Sequence, residues 1–344
     1  MLNAAVVGVN RIGLTHCSVY SGLPDVRLAA VCDLVGERAA AAANRFGARA
    51  YTDLEELLRS ERIDFVSVAT AGPEGGGHHF APAMAAIAAG VDVLVEKPLS
   101  NRVEEARRLV AAARERGVRL ACNLNHRFAP AAQRARDAIA AGEIGQILFV
   151  NMRLTIRNPN EETPYIHMRA LHTHSLDVMR YLAGDIRRVQ AFLTKAPGRR
   201  IWSTASVNLA FASGAVGHLT GSYDMSMKHP IEFCEVGGDR GRLVIDNVYE
   251  GVALFPHDSD ESRVYRNPIF GGMGTFDDTF ANRLRRFAEQ VRDKTPPSAV
   301  EGSGAEALAA LEAVEAAIRS HEQDGAPVDI PPADVPPADV SSAE

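Results

Sequence analysis

The chain has 344 residues, 37 Lys and Arg against 43 Asp and Glu for a formal net charge of −6, 46% hydrophobic residues and four cysteines. At roughly 150 residues per domain this length predicts two domains, each able to bury its own core. The mild acidity, without a long Lys/Arg block, excludes the electrostatic footprint of a nucleic-acid-binding protein. No stretch approaches the roughly 18 apolar residues of a membrane span, and the opening MLNAAVVGVNR lacks the basic and apolar regions of a signal peptide. Cys17, Cys32, Cys122 and Cys234 stand far apart without a CxxC pair or zinc spacing, which fits a reducing compartment and a cytoplasmic protein.

Residues 1–123 alternate short apolar runs with Ala-rich helical patterns, the sequence form of a doubly wound parallel sheet. Strands are predicted at Ala4–Gly8, Leu28–Cys32, Phe65–Ala69, Val91–Val95 and Val118–Cys122, mostly apolar throughout as strands covered on both faces must be. Helices are predicted at Glu37–Phe46, Leu54–Ser60, Ala81–Ala89 and Val103–Arg116, several stopped by Gly47, Gly90 and Gly117. A second domain, 124–330, opens with a helix at Ala131–Ala141, a long strand at Ile147–Ile156 and a helical run over His172–Leu182. Strands then follow one another at Val189–Thr194, Ser206–Phe211, Ala215–Tyr223, Ile231–Val236, Arg242–Asp246 and Val252–Phe255, which predicts an antiparallel or mixed sheet. Helices at Phe276–Asp293 and Gly304–His321 close the domain. The Pro-rich end, 331–344 with its tandem PPADV, is predicted to be a disordered tail.

Gly8-Val9-Asn10-Arg11-Ile12-Gly13 follows the first strand and opens a helix, the setting of a dinucleotide fingerprint. Gly8 permits the tight turn, the helix N-terminus offers N–H groups to a pyrophosphate, and Gly13 allows close helix–strand packing. Asn10 replaces the middle glycine, a substitution that Asn's tolerance of left-handed angles would ease. Asp33 ends the second strand 20 residues after Gly13, where an acid accepts from the adenosine ribose hydroxyls; the other reading is a helix N-cap. Its charge favours NAD(H) over NADP(H), although Arg38 lies one turn on. Glu96-Lys97-Pro98 follows the fourth strand, at the carboxyl edge where open α/β sheets bind ligands. Lys97 there can donate to a substrate oxygen or share in proton transfer; a salt-bridged surface turn is the plainer alternative.

GVNRIG, Asp33, Thr70 and His79 leading into VDVLVEKP, then NHRFAPA, GEIGQI, HSLDVMRYLAG and FASGAVGHLTGS…GDRGRLVIDN, in that order, resemble the glucose–fructose oxidoreductase/inositol dehydrogenase family of NAD(P)-dependent oxidoreductases. The resemblance spans about residues 3–330. It implies a Rossmann domain followed by an α/β domain whose large open sheet makes homodimers or homotetramers, and a sugar, cyclitol or sugar-derived substrate. By position it implies cofactor contacts at Gly8, Asn10, Arg11, Ile12, Asp33, Glu96, Lys97 and Pro98, the last often cis, and more loosely at Thr70, His79, Asn125 and Arg127.

Two places depart from the family pattern. Thr70 and His79 are separated by AGPEGGGH, longer than the usual Thr-Pro-Asn-x-x-His, which reads as a mobile flap or a tolerated insertion. His174 matches the family's catalytic histidine, but the acid often found four residues earlier is Ala170, and His172 replaces a common Gly. Lys97 and His174 are the expected catalytic pair, His174 moving the hydroxyl proton and Lys97 stabilising alkoxide character. His167, His172 and His174 lack i, i+4 spacing and an accompanying ligand set, so no metal is expected. Asp177 is expected to cap or orient within its helix. Arg153 and Arg157 share a strand face and, with Arg169, Tyr165, His172 and Trp202, are substrate candidates against plainer roles in packing or interfaces. Two other functions fit the same residues: a non-catalytic NAD(H)-binding regulator, favoured by Ala170, and a glycosidase that uses held NAD.

Overall fold

The computed structural model describes residues 1–331; of the expected tail, all but Pro331 lies outside them. The first sheet consists of β1 (Leu2–Val7), β2 (Val26–Cys32), β3 (Arg49–Tyr51), β4 (Phe65–Val68), β5 (Asp92–Val95) and β6 (Leu120–Cys122), all parallel in the order β3-β2-β1-β4-β5-β6. Its crossovers run through α1 (Arg11–Ser21), α2 (Gly36–Phe46), α3 (Leu54–Ser60), α4 (Phe80–Ala88) and α5 (Val103–Arg116). The order reverses between β1 and β4, so the loops leaving their carboxyl ends diverge and open a crevice. β4, β5 and β6 are buried at every position, which is why they read as mostly apolar runs, interrupted at Ser67 and Asp92. β3 escaped prediction because its three residues, Arg-Ala-Tyr, form a short edge with no apolar run.

The second unit opens with α6 (Pro130–Ala140), β7 (Ile147–Thr155) and α7 (Ile166–Ala183). There follow β8 (Ile186–Thr194), β9 (Thr204–Phe211), β10 (Val216–Ser222), β11 (Glu232–Gly238), β12 (Gly241–Asp246), β13 (Gly251–Pro256) and β14 (Arg263–Arg266), then α8 (Asp277–Arg292), α9 (Gly304–Glu322) and β15 (Val328–Asp329). The nine strands form one mixed sheet, β14-β13-β12-β11-β7-β10-β9-β8-β15, in which β7 and β10 are parallel and the other neighbours antiparallel. One face, including Val150, Met152, Val189, Ala191, Val207 and Leu209, packs with Met168, Leu176 and Met179 of α7 and with α9. The opposite face, which carries Asn151, Arg153, Phe192, Asn208, Val216 and Arg242, is left uncovered by the described residues of the chain, with Phe192 and Val216 more than half exposed.

α7 begins at Ile166, six residues before the predicted start, because buried His167, His172 and His174 mask the apolar period along its first turns. Strand β7 ends at Thr155, so Arg157 lies beyond it in an isolated bridge with Asp224, and the expected strand face common to Arg153 and Arg157 is interrupted.

The last two long helices return to the first sheet. Leu284, Phe287, Ala288 and Val291 of α8 share a core with Ala4, Val6, Tyr20 and Phe65, and Ala307 and Leu311 of α9 join the core containing Val93 and Leu120. The fully buried Arg283 donates from Nε to the Cys122 carbonyl at 2.9 Å, and the Cys122 N–H donates to the Gly302 carbonyl at 2.8 Å. A division at 123/124 therefore separates the two sheets, while the packing of the first runs on through residues 277–322.

Candidate active site

The first turn of the crevice is built for close approach. Gly8 has φ +84°, and a Cβ there would lie 2.7 Å from the Thr70 backbone; a Cβ on Gly13 would lie 1.8 Å from the Gly8 carbonyl oxygen. Both positions thus require glycine for the strand, turn and helix to meet. Asn10 sits at φ −74°, ψ −171°, an extended conformation open to any residue, so its tolerance of left-handed angles is not what placed it there. Its side chain makes no cap bond, and the N–H groups of Arg11, Ile12 and Gly13 have no backbone partner among the described residues. They are the orphan donors of a helix start, at the positive end of its dipole.

Asp33 closes this turn. Its carboxylate accepts from the Val9 N–H at 3.0 Å and the Val35 N–H at 2.9 Å, and Arg38 Nε stands 3.3 Å away. Helix α2 has Val35 as its N-cap, so Asp33 is not the helix cap. Unclaimed helix N–H groups, two obligatory glycines and a carboxylate at the end of β2 together fit an adenine dinucleotide.

The second turn, after β5, carries Glu96, Lys97 and Pro98, with the Lys97–Pro98 bond cis. Glu96 points inward: His16 Nε2 lies 2.9 Å from Oε1, Asn123 also donates to Oε1, and the Lys97 N–H donates to Oε2. Burial raises this carboxyl, but the His16 hydrogen bond and charge, aided by Asn123 and Lys97, hold it below its ordinary value. Lys97 projects the other way and donates from Nζ to the Ala170 carbonyl at 2.8 Å. Desolvation lowers its pKa, opposed in part by Glu96.

Ala170 stands one helical turn before His174 on α7, which brings Lys97 and His174 to one place. His174 is 7% exposed, and its Nδ1 has no hydrogen-bond partner among the described residues. Its ring stacks on His126, centroids 4.2 Å apart and planes 14° apart, and His126 Nδ1 lies 2.8 Å from Glu232 Oε2. Burial, then the charges of His126, Lys97 and His172, hold His174 well below an ordinary histidine, so it is a neutral imidazole near pH 7.

Other residues singled out from the sequence are engaged elsewhere. Arg127 is buried between Asp177, to which its Nε donates at 2.8 Å, and Glu306. Its guanidinium is therefore spent on an ion cluster, not turned to a cofactor, and Asp177 is the partner of that cluster, not a helix cap. His79 is fully buried between the Pro98 and Thr70 carbonyls, 2.8 and 2.9 Å away. Burial holds it neutral, so it donates to one of them at a time and braces the two turns against each other. Thr70 donates to the His78 carbonyl, and Asn125 donates to Thr279.

Arg169 pairs with Glu74 at 3.0 Å and with Glu315, and His172 is enclosed by His167 and Ser175 at 2.9 and 3.0 Å. These contacts remove both from the substrate candidates. The His167–His172 contact also shows that absence of i, i+4 spacing did not keep those rings apart. Tyr165 and Trp202 pack against the core of the second sheet, and exposed Arg157 lines a separate cleft with Arg199 and Asp224. Among the described residues no cluster of three or more His, Cys, Asp or Glu is placed to hold a metal.

The Gly-rich segment after Thr70 is anchored. Glu74, at φ 54° and buried, receives hydrogen bonds from Thr163 and Arg169, and its own N–H donates to Glu162. The segment thereby ties the Lys97 turn of the first unit to α7 of the second. His126, Glu232 and Glu74 escaped sequence reasoning. Glu232 left a signal: it shares the buried phase of its strand with Cys234 and Val236, where an acid needs a reason.

The crevice of a doubly wound sheet, with a dinucleotide-fitting turn facing a lysine and a histidine, defines an NAD-binding oxidoreductase. Residues 2–124 match the family described as "Oxidoreductase family, NAD-binding Rossmann fold", and residues 132–244 match the GFO/IDH/MocA C-terminal domain. The chain belongs to the GFO/IDH/MocA oxidoreductases. It is 29% identical to the D-apiose dehydrogenase of Paraburkholderia graminis, over 75% of this chain and 70% of that one. It is 27% identical to the myo-inositol 2-dehydrogenase of Thermotoga maritima, over 89% and 93%. The fold is also that of a levoglucosan dehydrogenase solved with NADH and L-sorbose, at a TM-score of 0.85 and 22% identity, covering 96% of this chain and 99% of that one.

Proposed function

We propose that the chain oxidises a hydroxyl of a sugar, cyclitol or sugar-derived metabolite to a ketone, or runs the reverse reduction, with His174 and Lys97 as its catalytic pair. The observation that carries this is the Lys97 bond to the Ala170 carbonyl, one turn from His174. It sets an ammonium beside a neutral imidazole in the crevice. In the oxidative direction the hydroxyl proton passes to His174, whose depressed pKa leaves it free to accept, and Lys97 stabilises the negative charge developing on the same oxygen. Bound NAD supplies the hydride acceptor. The Arg11 and Ile12 N–H groups, with Gly8 and Asn10, would hold its pyrophosphate, and Asp33 would take the ribose hydroxyls; the charge of Asp33 would disfavour the extra phosphate of NADP. Glu96 and the cis Pro98 hold Lys97 in place. The names of the sugar and inositol dehydrogenase relatives support this substrate class.

The uncovered face of the nine-stranded sheet supports a homodimer or homotetramer. Four free, buried cysteines support a reducing, cytoplasmic setting. The test is NADH formation by the purified protein over a panel of polyols and aldoses, with Lys97→Ala as the control. Turnover lost in the variant while NADH binding persists supports the assignment. Absence of turnover on every member, in wild-type protein that binds NADH, overturns it. Ala170 favours a second reading, a regulator that binds NAD(H) without turnover, and such a protein would keep its partner binding in Lys97→Ala.

A further inference from the structure

His16, on the buried side of α1, is a titratable group that the chemistry above leaves without a task. Both of its ring nitrogens are engaged: Nε2 lies 2.9 Å from Glu96 Oε1, and Nδ1 lies 2.7 Å from Ser67 Oγ on β4. Tyr20, one turn further along α1, donates from its hydroxyl to Ser67 Oγ at 3.3 Å. His16, Ser67 and Tyr20 have no exposed surface, so this row of polar groups is closed to solvent.

The directions of the bonds follow from Glu96. An ionised carboxylate only accepts, so His16 donates from Nε2 whether its ring is neutral or protonated. In the neutral ring Nδ1 then accepts from the Ser67 hydroxyl, whose oxygen accepts from Tyr20, and every donor in the row has an acceptor. Glu96 passes the order on: Oε1 also accepts from Asn123, and Oε2 accepts from the N–H of Lys97, the next residue. Burial works against the Glu96 carboxylate, and the His16 hydrogen bond is the largest influence opposing it. Lys97 is in turn opposed by burial and supported first by the Glu96 charge. Of the groups that face the amine, namely Glu96, Cys122, His79 and His174, Glu96 is the anion.

We propose that His16 is a positioning residue for Lys97, acting through Glu96: it keeps that carboxylate ionised and fixed, so that the ammonium stands charged and aimed at the substrate oxygen. This rests on the reading that Lys97 meets that oxygen. Ser67 and Tyr20 hold the imidazole in register from below, and β4 and α1 thereby take part in orienting a side chain that belongs to neither.

The test compares His16→Asn with His16→Gln in the full-length chain. The Asn amide falls where Nδ1 lies and keeps the Ser67 bond but not the Glu96 bond; the Gln amide reaches the place of Nε2 and keeps a donor on Glu96. The readout is the pH dependence of Lys97 reductive methylation. We expect the Lys97 pKa to fall by about one unit in His16→Asn, as Glu96 takes up a proton, and to stay within a few tenths of wild type in His16→Gln. Cys17→Ala, a buried change on the same helix outside this row, should leave the titration in place. Where turnover is measured, kcat should fall about tenfold in His16→Asn with KM little changed, and recover in His16→Gln. An unmoved Lys97 titration in folded His16→Asn overturns the proposal, as does an equal shift in the Asn and Gln variants. Failure of both to fold assigns His16 to folding alone and overturns it too. The titration needs no substrate, so the expected shift without turnover on any polyol preserves the link from His16 to Lys97 and rejects the activity instead.

Discussion

Lys97 Nζ and the main-chain carbonyl of Ala170 lie 2.8 Å apart, so the ammonium expected to face substrate is steered by backbone and carries no side-chain carboxylate beyond Glu96 behind it. Desolvation then dominates its titration and lowers its pKa. Placing an acid at this point reverses the balance, since a nearby opposite charge favours the charged form. Ala170→Asp should raise the Lys97 pKa by about 1–2 units. The measurement is the pH dependence of Lys97 labelling by reductive methylation; an unchanged titration shows that the residue 170 side chain does not reach the amine.

Acid should destabilise the protein through the α7 histidines. Burial holds His167 down to about 3 and His172 well below its ordinary value, while both return to about 6.5 in the unfolded chain. Between pH 6.5 and 3 the unfolded state binds protons that the native state does not, so stability falls as pH falls. For each such group the slope approaches 1.4 kcal/mol per pH unit. Urea unfolding at pH 7 and pH 5 should show the loss, and His167→Gln should flatten it.

Glu74 fastens the Gly-rich segment across the two units, and Glu74→Ala removes charge-assisted bonds worth about 1.5–3 kcal/mol. Amide exchange over residues 72–77 should rise tenfold or more. Gly75 and Gly76 pack against the Lys97–Pro98 turn, so KM should rise more than kcat falls. Unchanged exchange would show that the glycines hold the loop unaided.

Arg127→Met should be among the most damaging single changes. It leaves Asp177, 1% exposed, without its counter-ion, a loss of about 3–5 kcal/mol. Asp177→Asn in the same background should recover part of it. Thermal melts of the two single variants and the double variant measure the coupling.

Much of the first sheet was legible because parallel strands buried on both faces leave runs such as AAVV and VLV, and because Gly8, Gly13 and Asp33 occupy places where backbone geometry admits few alternatives. Seven of the nine strands in the second sheet were legible too, but the short edge strands β14 and β15 and the parallel β7–β10 pairing were not, since short polar edges and register between distant segments leave no local mark. Lys97 could be read from its place after a strand. The tasks of Arg127, Arg169 and His172 could not: a charged side chain looks the same in sequence whether it faces a ligand or an internal counter-ion. Their partners, Glu306, Glu74 and His167, lie as close as five residues away and as far as 179.

The return of α8 and α9 to the first sheet bears on how the molecule is made. A ribosome delivers the dinucleotide half first, yet Ala4, Val6 and Phe65 must wait for Leu284, Phe287 and Val291 to seal them. Throughout most of synthesis the nascent half exposes a raw apolar flank and lacks Arg283 beneath β6. Maturation of the nucleotide half is thereby coupled to arrival of the last long helices, and a chain cut short before residue 277 would be a client for chaperones and proteases, not a free-standing nucleotide binder.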